Sequence, residues 1–181
     1  MQDTAYLKCI IPKCGKEYVI SSTRIHCDCG NLLDVKYKNT PSTKLKETFY
    51  QRHNPQGSIF NESGVWRFRE LLNFCQIDTE NLEECSKKLV SLDGAEGRQS
   101  KPYHMSKVAE FIEIDSEKLM LQPEGYNPSG SFKDNGMSAA VTHAKMVNAK
   151  KIICASTGNT SASAGMFAAN ENIECDVYIP E

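Results

Sequence analysis

The chain has 181 residues, of which 40% are hydrophobic and 24% charged, and its formal net charge is −2. This composition is ordinary for a globular protein, and the length suits one domain or one and a half. With a net charge this close to zero, nothing favours a nucleic-acid partner, which would call for a clustered basic surface. No apolar run is long enough to span a membrane, and the first residues do not have the basic-then-apolar pattern of a signal peptide, so we expect a cytoplasmic protein with no membrane or nucleic-acid partner.

Four of the eight cysteines lie within the first thirty residues. Without a secretion signal a disulfide framework is not expected, so this cluster favours a metal, zinc above all. Zinc ribbons prefer two residues between paired cysteines, whereas this chain has C-x4-C followed by C-x-C. We predict a zinc site of Cys9, Cys14, Cys29 and either Cys27 or, at the more comfortable H-x2-C spacing, His26. A metal-free segment held by its apolar residues is the alternative.

The sequence divides into three predicted parts. Residues 1–37 form a zinc-ribbon-like segment in which two cysteine knuckles are joined by a hairpin. Residues 38–116 form a linker and a helical region, in which apolar side chains between 65 and 74 follow helical spacing. Residues 91–105, rich in Gly, Pro and charge, predict a loop. Residues 117–181 begin an α/β domain.

The α/β part alternates strands and helices. Residues 118–122 and 150–156 predict strands, the second of them buried. Residues 135–150 predict the helix between them, and its apolar residues line one face: Met137, Ala140, Val141, Ala144 and Val147. A second helix within residues 156–173 and a last strand at 174–181 follow. Helices of this length between strands imply parallel pairing, and sites in such sheets form where strands end. The segments 124–136 and 156–160 both follow strands, so we expect them to share one crevice.

Lys133 lies in the compact stretch "NPSGSFKDNG", residues 127–136. Most lysines in a first helical turn are ordinary surface residues, but this end of a helix favours anions rather than cations. A lysine amine without its proton is a nucleophile that forms Schiff bases with aldehydes, pyridoxal phosphate above all. We therefore predict a reactive amine at Lys133, and a salt bridge or a helix cap for Asp134.

The loop "STGNTS", residues 156–161, brings hydroxyl groups, one amide and backbone N–H groups to a helix start. Such a start binds carboxylate or phosphate without needing a cation. Close packing explains the small residues Ala162, Ala164 and Gly165 that follow, but it does not explain the polar run before them. Together the two loops predict an anion site near a reactive amine.

The stretches "NPSGSFKDNGM" and "ICASTGNTSASAGMFAA" resemble the motifs of the threonine synthases, pyridoxal-phosphate enzymes of fold type II (similar to the tryptophan synthase β subunit). The usual motif has threonine in place of Ser129 and arginine in place of Asn135. The cysteine-bearing start is similar to the N-terminal segment of many members. The resemblance is faint between residues 38 and 90. It implies a three-layer α/β fold with a parallel sheet, of which this chain holds an incomplete part.

The resemblance also implies residue roles. Lys133 would hold pyridoxal phosphate as a Schiff base and move protons, and Asn159 would lie beside the cofactor's 3-hydroxyl group. The α-carboxylate of a small amino-acid substrate would bind Ser156, Thr157 and Thr160. The implied reaction belongs to threonine biosynthesis: this lyase converts O-phospho-L-homoserine and water to L-threonine and phosphate. A homodimer of the complete enzyme is left open.

One family segment is altered in this chain. Members usually carry Gly-Glu-Gly-x-Thr-Pro-Leu before the lysine strand, whereas residues 93–105 read "DGAEGRQSKPYHM" and keep only a Glu-Gly pair and a proline. Arg98, Ser100 and Lys101 are chemically suited to a substrate phosphate, but we assign none of them that role.

Two further expectations concern the whole protein. In family members more than half of the catalytic domain follows the last residue of this chain, so we expect a portion of a longer enzyme that is inactive by itself. A threonine or serine dehydratase, or a cysteate synthase, is the alternative on the same fold. Dehydratases usually carry histidine where this chain has Thr160. A non-catalytic zinc-ribbon binding module is the alternative from another class, and it predicts a dispensable Lys133.

Overall fold

The computed structural model describes residues 5–38, 43–52, 58–72, 81–97 and 103–180. The chain combines α-helices with small sheets. Among the helices in these ranges, none has both the length and the apolar character that crossing a membrane requires.

The secondary structure follows the chain in this order. The strands are β1 (Ala5–Cys9), β2 (Glu17–Val19), β3 (Leu33–Tyr37), β4 (Tyr103–His104), β5 (Met120–Leu121), β6 (Lys151–Ala155) and β7 (Glu174–Tyr178). The α-helices are α1 (Thr43–Gln51), α2 (Ile59–Glu62), α3 (Leu82–Lys88), α4 (Ser106–Phe111), α5 (Lys133–Met146) and α6 (Asn159–Asn170). Short 3-10 helices span Trp66–Leu72, Ser116–Lys118 and Glu124–Tyr126.

Residues 5–38, here called the cysteine unit, form an antiparallel sheet in the order β2-β1-β3. Alternate residues of β1 are buried, as the two-residue period of a strand requires. Ala5, Leu7 and Ile20 make up its small core. Cys9 ends β1 and Cys14 lies in the turn after it, whereas Cys27 and Cys29 lie in the loop before β3, so the sheet brings these two segments together at one end.

The middle of the chain packs around Trp66, whose side chain is 1% exposed and whose indole N–H donates to the Val90 carbonyl at 2.7 Å. The helical spacing predicted between 65 and 74 is present as the 3-10 helix Trp66–Leu72, which is kinked at Phe68. Residues 73 and 74 lie outside the described part of the chain. A buried ion pair, Arg52 with Glu70 at 2.6 Å, ties this helix to the end of α1.

Strands β6 and β7 pair in parallel and α6 connects them, so the predicted parallel pairing of the last two strands is confirmed. Helix α5 packs beside α6. Between these elements lies an apolar core of Val90, Val141 and Phe167, with Ile152 of β6 against it. We call α5, β6, α6 and β7 the helix–strand layer.

The strand predicted at 118–122 differs from expectation in its pairing. The two-residue strand β5 pairs antiparallel with β4, and these two form a separate sheet from β6 and β7. The connection through the short helix α4 returns the chain in the opposite direction, which suits an antiparallel ladder and not a parallel one. β4 also lies within residues 91–105, for which the composition predicts a loop.

Two burial predictions were wrong. Strand β6 is not buried, since its residues alternate between half-buried and exposed and Ile153 is 66% exposed. The periodicity of α5 predicted a buried face of Met137, Ala140, Val141, Ala144 and Val147. The structure instead buries Val141 among polar side chains, which are Asp134, Ser138 and Thr142. Their hydrogen bonds, described below, make this burial possible.

Candidate functional site

The turn that precedes the lysine is held by Asn127, whose side chain is buried. Its amide oxygen accepts the Gly97 N–H at 2.6 Å, and its amide nitrogen donates at 2.8 Å to both the backbone and the side chain of Glu124. Its carbonyl oxygen accepts the Gly130 N–H at 2.8 Å. Gly130 has φ of +79°, a conformation that L side chains rarely adopt. One side chain therefore fixes the turn and ties it to residue 97.

Lys133 is the first residue of α5, two positions earlier than predicted. Its side chain is half-buried, and its amine lies 4.4 Å from the centre of the Phe132 ring. A cation over an aromatic face is attracted to it. The space next to the Cα of Gly130 is open, since a Cβ added to that residue would meet no atom within 4 Å beyond its chain neighbours. The amine thus lies at a helix start and against a ring.

Asp134 is fully buried, and among the residues that the structure describes it makes neither the predicted salt bridge nor the predicted cap. One carboxylate oxygen accepts the hydroxyl groups of Ser129 at 2.5 Å and Ser163 at 2.6 Å, and the other accepts the Ser129 N–H at 2.7 Å. Three donors therefore satisfy this carboxylate in place of a cation. Sequence reasoning missed this role, because Ser163 is 29 residues away along the chain.

The second loop has the features of an anion site. The Ser161 hydroxyl donates to the Gly158 carbonyl at 2.7 Å, and the Gly158 N–H donates to the Ser156 hydroxyl at 3.3 Å. Within the described ranges the N–H groups of Asn159 and Thr160 have no acceptor. Unpaired N–H groups at a helix start carry partial positive charge and bind carboxylate or phosphate. The space beside Gly158 is open as well.

The two loops lie at the same end of the β6–β7 sheet. Ser163 is one helical turn after Asn159, so its hydrogen bond to Asp134 brings the first turns of α5 and α6 together. The hydrogen bonds of the described residues include none between Lys133 and the loop 156–160. Asn159 and Thr157 are exposed, whereas Ser156 and Thr160 are half-buried. The loop therefore leaves its side chains accessible to a ligand.

The segment 92–97 is held in place by the buried side chain of Glu96, a role that the sequence did not reveal. Glu96 is fully buried and accepts the hydroxyl groups of Ser63 and Ser91, both at 2.7 Å. Gly64 lies so close to Gly97 that a Cβ on Gly64 would be 1.7 Å from the Gly97 carbonyl oxygen. Glu96 thus serves this packing and is not available to a ligand. The three residues suited to a substrate phosphate, at 98, 100 and 101, lie outside the described residues.

The four clustered cysteines converge. The sulfur atoms of Cys9, Cys14, Cys27 and Cys29 lie within 4.8 Å of one another. Two sulfur pairs are 3.6 Å apart, Cys9 with Cys29 and Cys14 with Cys27. Four sulfurs about 2.3 Å from a tetrahedral zinc would be roughly 3.8 Å apart, so the arrangement fits zinc. His26 is not part of this group.

The thiols of this cluster differ in their acidity. The backbone N–H of Asn31 and then its side chain lower the pKa of Cys29 to about 6. The backbone N–H of Cys29 and the Tyr18 hydroxyl, 3.3 Å away, lower the pKa of Cys27. Metal ions bind the thiolate form, so these donors favour the ligand state of both sulfurs.

Comparisons with known proteins bear directly on this site. Residues 103–181 match the family model described as "Pyridoxal-phosphate dependent enzyme". Over 96% of its length, the sequence is 35% identical to the threonine synthase of Methanocaldococcus jannaschii. Over 97% of its length, it is 33% identical to that of Methanosarcina acetivorans. The chain is similar to threonine synthases along nearly its whole length.

A shorter match has a higher identity. Over 63 residues, 35% of this chain and 18% of the relative, the identity to the threonine synthase of Mycobacterium leprae is 56%. The resemblance predicted from the two motifs is confirmed, and so is pyridoxal phosphate as the cofactor of the family. The chain spans 37% of the length of the Methanocaldococcus and Methanosarcina relatives.

Proposed function

We propose that this chain carries the cofactor lysine and the carboxylate site of a threonine synthase of fold type II. The enzyme would be a lyase that converts O-phospho-L-homoserine and water to L-threonine and phosphate. One observation carries the proposal: a lysine amine at the start of α5 and unpaired N–H groups at the start of α6 lie at one end of a parallel sheet. The relatives are named threonine synthases, and the reaction is the one that the family resemblance implies.

Each residue has a role in this proposal. Pyridoxal phosphate, when bound, draws electrons away from the substrate's reacting carbons. Lys133 holds the cofactor through its amine and moves protons to and from those carbons. Asn159 faces the cofactor's ring hydroxyl group. Ser156, Thr157 and Thr160, with the free N–H groups of α6, hold the substrate carboxylate at the positive end of the helix.

The test uses this chain fused to the part of the Methanocaldococcus jannaschii threonine synthase that lies beyond its match. We expect the fusion to release phosphate from O-phospho-L-homoserine, and the 181-residue chain alone, at 37% of the relative's length, to release none. Lys133→Ala should abolish release by the fusion, whereas Lys150→Ala, at an exposed lysine, should not. Full activity of the Lys133→Ala fusion would contradict the proposal.

The alternatives on the same fold are tested with the same protein. A threonine or serine dehydratase would form a keto acid from L-threonine or L-serine, and a cysteate synthase would form cysteate. Threonine stands at position 160 where dehydratases usually carry histidine, so we expect no keto acid. The non-catalytic alternative is tested by the Lys133→Ala variant above.

We further propose that Cys9, Cys14, Cys27 and Cys29 bind one structural zinc ion in a zinc-ribbon-like segment. The sulfur distances and the N–H donors to Cys27 and Cys29 support this assignment over His26. Protein purified without chelator should contain about one zinc per chain. Cys14→Ser should lose it, and Cys154→Ser, a thiol outside the cluster, should keep it. Zinc near zero in the parent chain would remove the proposal.

The other expectations stay predictions. They are the boundaries of the parts at 1–37, 38–116 and 117–181, a cytoplasmic location, and a homodimer of the complete enzyme.

A further inference from the structure

Asp134 is the most deeply buried charged group near the candidate site, and the proposed reaction gives it no role. Its side chain is fully buried, and within the described ranges of the chain it takes part in no ion pair. A buried carboxylate is costly unless hydrogen bonds satisfy it. Here they come from two separate elements, Ser129 in the lysine turn and Ser163 in α6.

We propose that Asp134 is a positioning residue that sets the spacing between the amine of Lys133 and the side chain of Asn159. This inference rests on the proposed function of that site. Asp134 follows Lys133 directly in the chain. Ser163 lies four residues after Asn159, on the same face of α6 and about 6 Å along its axis. The 2.6 Å hydrogen bond therefore joins the two loops through rigid helical turns.

The same carboxylate also closes the turn in front of the lysine. Ser129 donates to it twice, through its hydroxyl and through its backbone N–H. Hydrogen bonds to a charged acceptor are shorter and stronger than those between neutral groups. Asn127 holds the other side of this turn through the Gly130 N–H. The lysine amine is thus held against the Phe132 ring by a turn that has anchors on both sides.

The first test is a double-mutant cycle in the 181-residue chain, with Asp134→Asn, Ser163→Ala and both together. Hydrogen bonds to a charged group predict a coupling of about tenfold or more in the unfolding equilibrium constant, measured in urea. Ser86→Ala removes an exposed helical serine hydroxyl and should show no coupling to Asp134→Asn. If Asp134→Asn does not fold, Ser129→Ala with Ser163→Ala provides a cycle that retains the carboxylate. Additive effects in the folded cycle would overturn the proposal.

The second test measures positioning rather than stability. Competitive labelling with acetic anhydride under native conditions gives the reactivity of Lys133 relative to the exposed Lys150. Releasing the turn should raise this ratio about threefold in Asp134→Asn and Ser129→Ala, the factor that a lost cation–π contact predicts. Ser129→Thr keeps the hydroxyl group and should keep the ratio of the parent. An unchanged ratio in both releasing variants would overturn the proposal.

These two measurements need neither cofactor nor catalysis, so their outcome is separate from that of the proposed function. If the Lys133→Ala fusion stays active while Asp134 and Ser163 are coupled, the proposed function fails and the link between the two loops stands. If the fusion depends on Lys133 and no coupling is found, the positioning role alone is overturned.

Discussion

The cysteine unit and the helix–strand layer each hold two loops together, but they do so through different contacts. The cysteine unit has an apolar core of only three buried residues, Ala5, Leu7 and Ile20, and its two loops meet through sulfur atoms. The helix–strand layer has a core around Phe167, and its two loops meet through the buried carboxylate of Asp134. The first junction would be completed by the proposed zinc ion, and the second is complete within the polypeptide.

This difference predicts which kind of change should destabilise each region. Small domains with little core depend on metals or disulfides, whereas a packed layer depends on its side chains. The two regions also touch, since the His143 ring lies 3.3 Å from the carbonyl oxygen of Ile20. Of the following changes, metal removal acts on the cysteine unit, Phe167→Ala and Thr142→Val act on the helix–strand layer, and Glu70→Gln acts outside both.

Metal removal should have the largest effect, because structural zinc sites contribute about 10–16 kcal/mol of apparent binding free energy at neutral pH. We expect a chelator, or Cys14→Ser, to abolish protection of the backbone amides in residues 5–38 while α6 keeps its protection. Hydrogen exchange with mass spectrometry measures both. Cys154→Ser without chelator is the control. Equal protection of the cysteine unit with and without chelator would contradict the comparison.

Phe167→Ala should destabilise the helix–strand layer. Its ring is fully buried against Val90 and Val141, so the change should lower the free energy of unfolding by about 3–5 kcal/mol. Urea denaturation measures this loss, and the zinc content of the folded protein should not change. Phe111→Ala is the matched control, since that ring is 86% exposed and should cost little. A loss below about 1 kcal/mol for Phe167→Ala would mean that this core is not packed around the ring.

Glu70→Gln should act outside both regions, and its effect on stability should depend on pH. Burial raises the pKa of Glu70, but the hydrogen bonds from Arg52 and from the backbone N–H of Glu70, together with the charges of Arg52 and Arg69, outweigh burial, so the pKa lies below the ordinary value. The pair therefore stabilises the fold fully above the unfolded pKa of about 4.3, and this contribution is lost as the pH falls through the lower folded pKa. We expect a loss of about 2 kcal/mol at pH 7 that shrinks toward acid, measured by urea denaturation. A pH-independent difference would contradict this.

Thr142→Val should give the smallest effect. It keeps the shape of the side chain but removes the hydroxyl oxygen that accepts the Val90 N–H at 2.9 Å, so the loss should be about 1 kcal/mol. Thr48→Val removes a hydroxyl that only donates to its own helix, and should change stability by less than about 0.5 kcal/mol. Equal losses of stability for the two variants would show that the hydrogen bond between the Thr142 hydroxyl and the Val90 N–H does not stabilise the helix–strand layer.

The local pattern of the sequence was enough to predict the helices and strands of the helix–strand layer. Periodicity placed α5, α6, β6 and β7 within a few residues, because each is a continuous segment with its own signal. It failed on the buried face of α5, since a helix can bury polar residues wherever partners from elsewhere satisfy them. Asp134 shows the reason, because its partner Ser163 belongs to another helix.

The cysteine spacings illustrate the same limit. In the sequence, the C-x-C spacing places two cysteines too close for comfortable binding of one zinc ion, so His26 is a candidate ligand in place of Cys27. In space, two sulfur pairs at 3.6 Å join separate segments of the cysteine unit, Cys9 with Cys29 and Cys14 with Cys27, so neither sequence pair has to close on itself. The burial of Glu96 was equally invisible, because its partner Ser63 is 33 residues away.

The central claim is that Lys133 holds the cofactor, and one measurement tests it most directly. The fusion with the Methanocaldococcus jannaschii remainder is mixed with pyridoxal phosphate, reduced with borohydride and digested, and the peptides are analysed by mass spectrometry. We predict that the cofactor's mass is found on the peptide that contains Lys133. Cofactor on other lysines, with Lys133 unmodified, would contradict it.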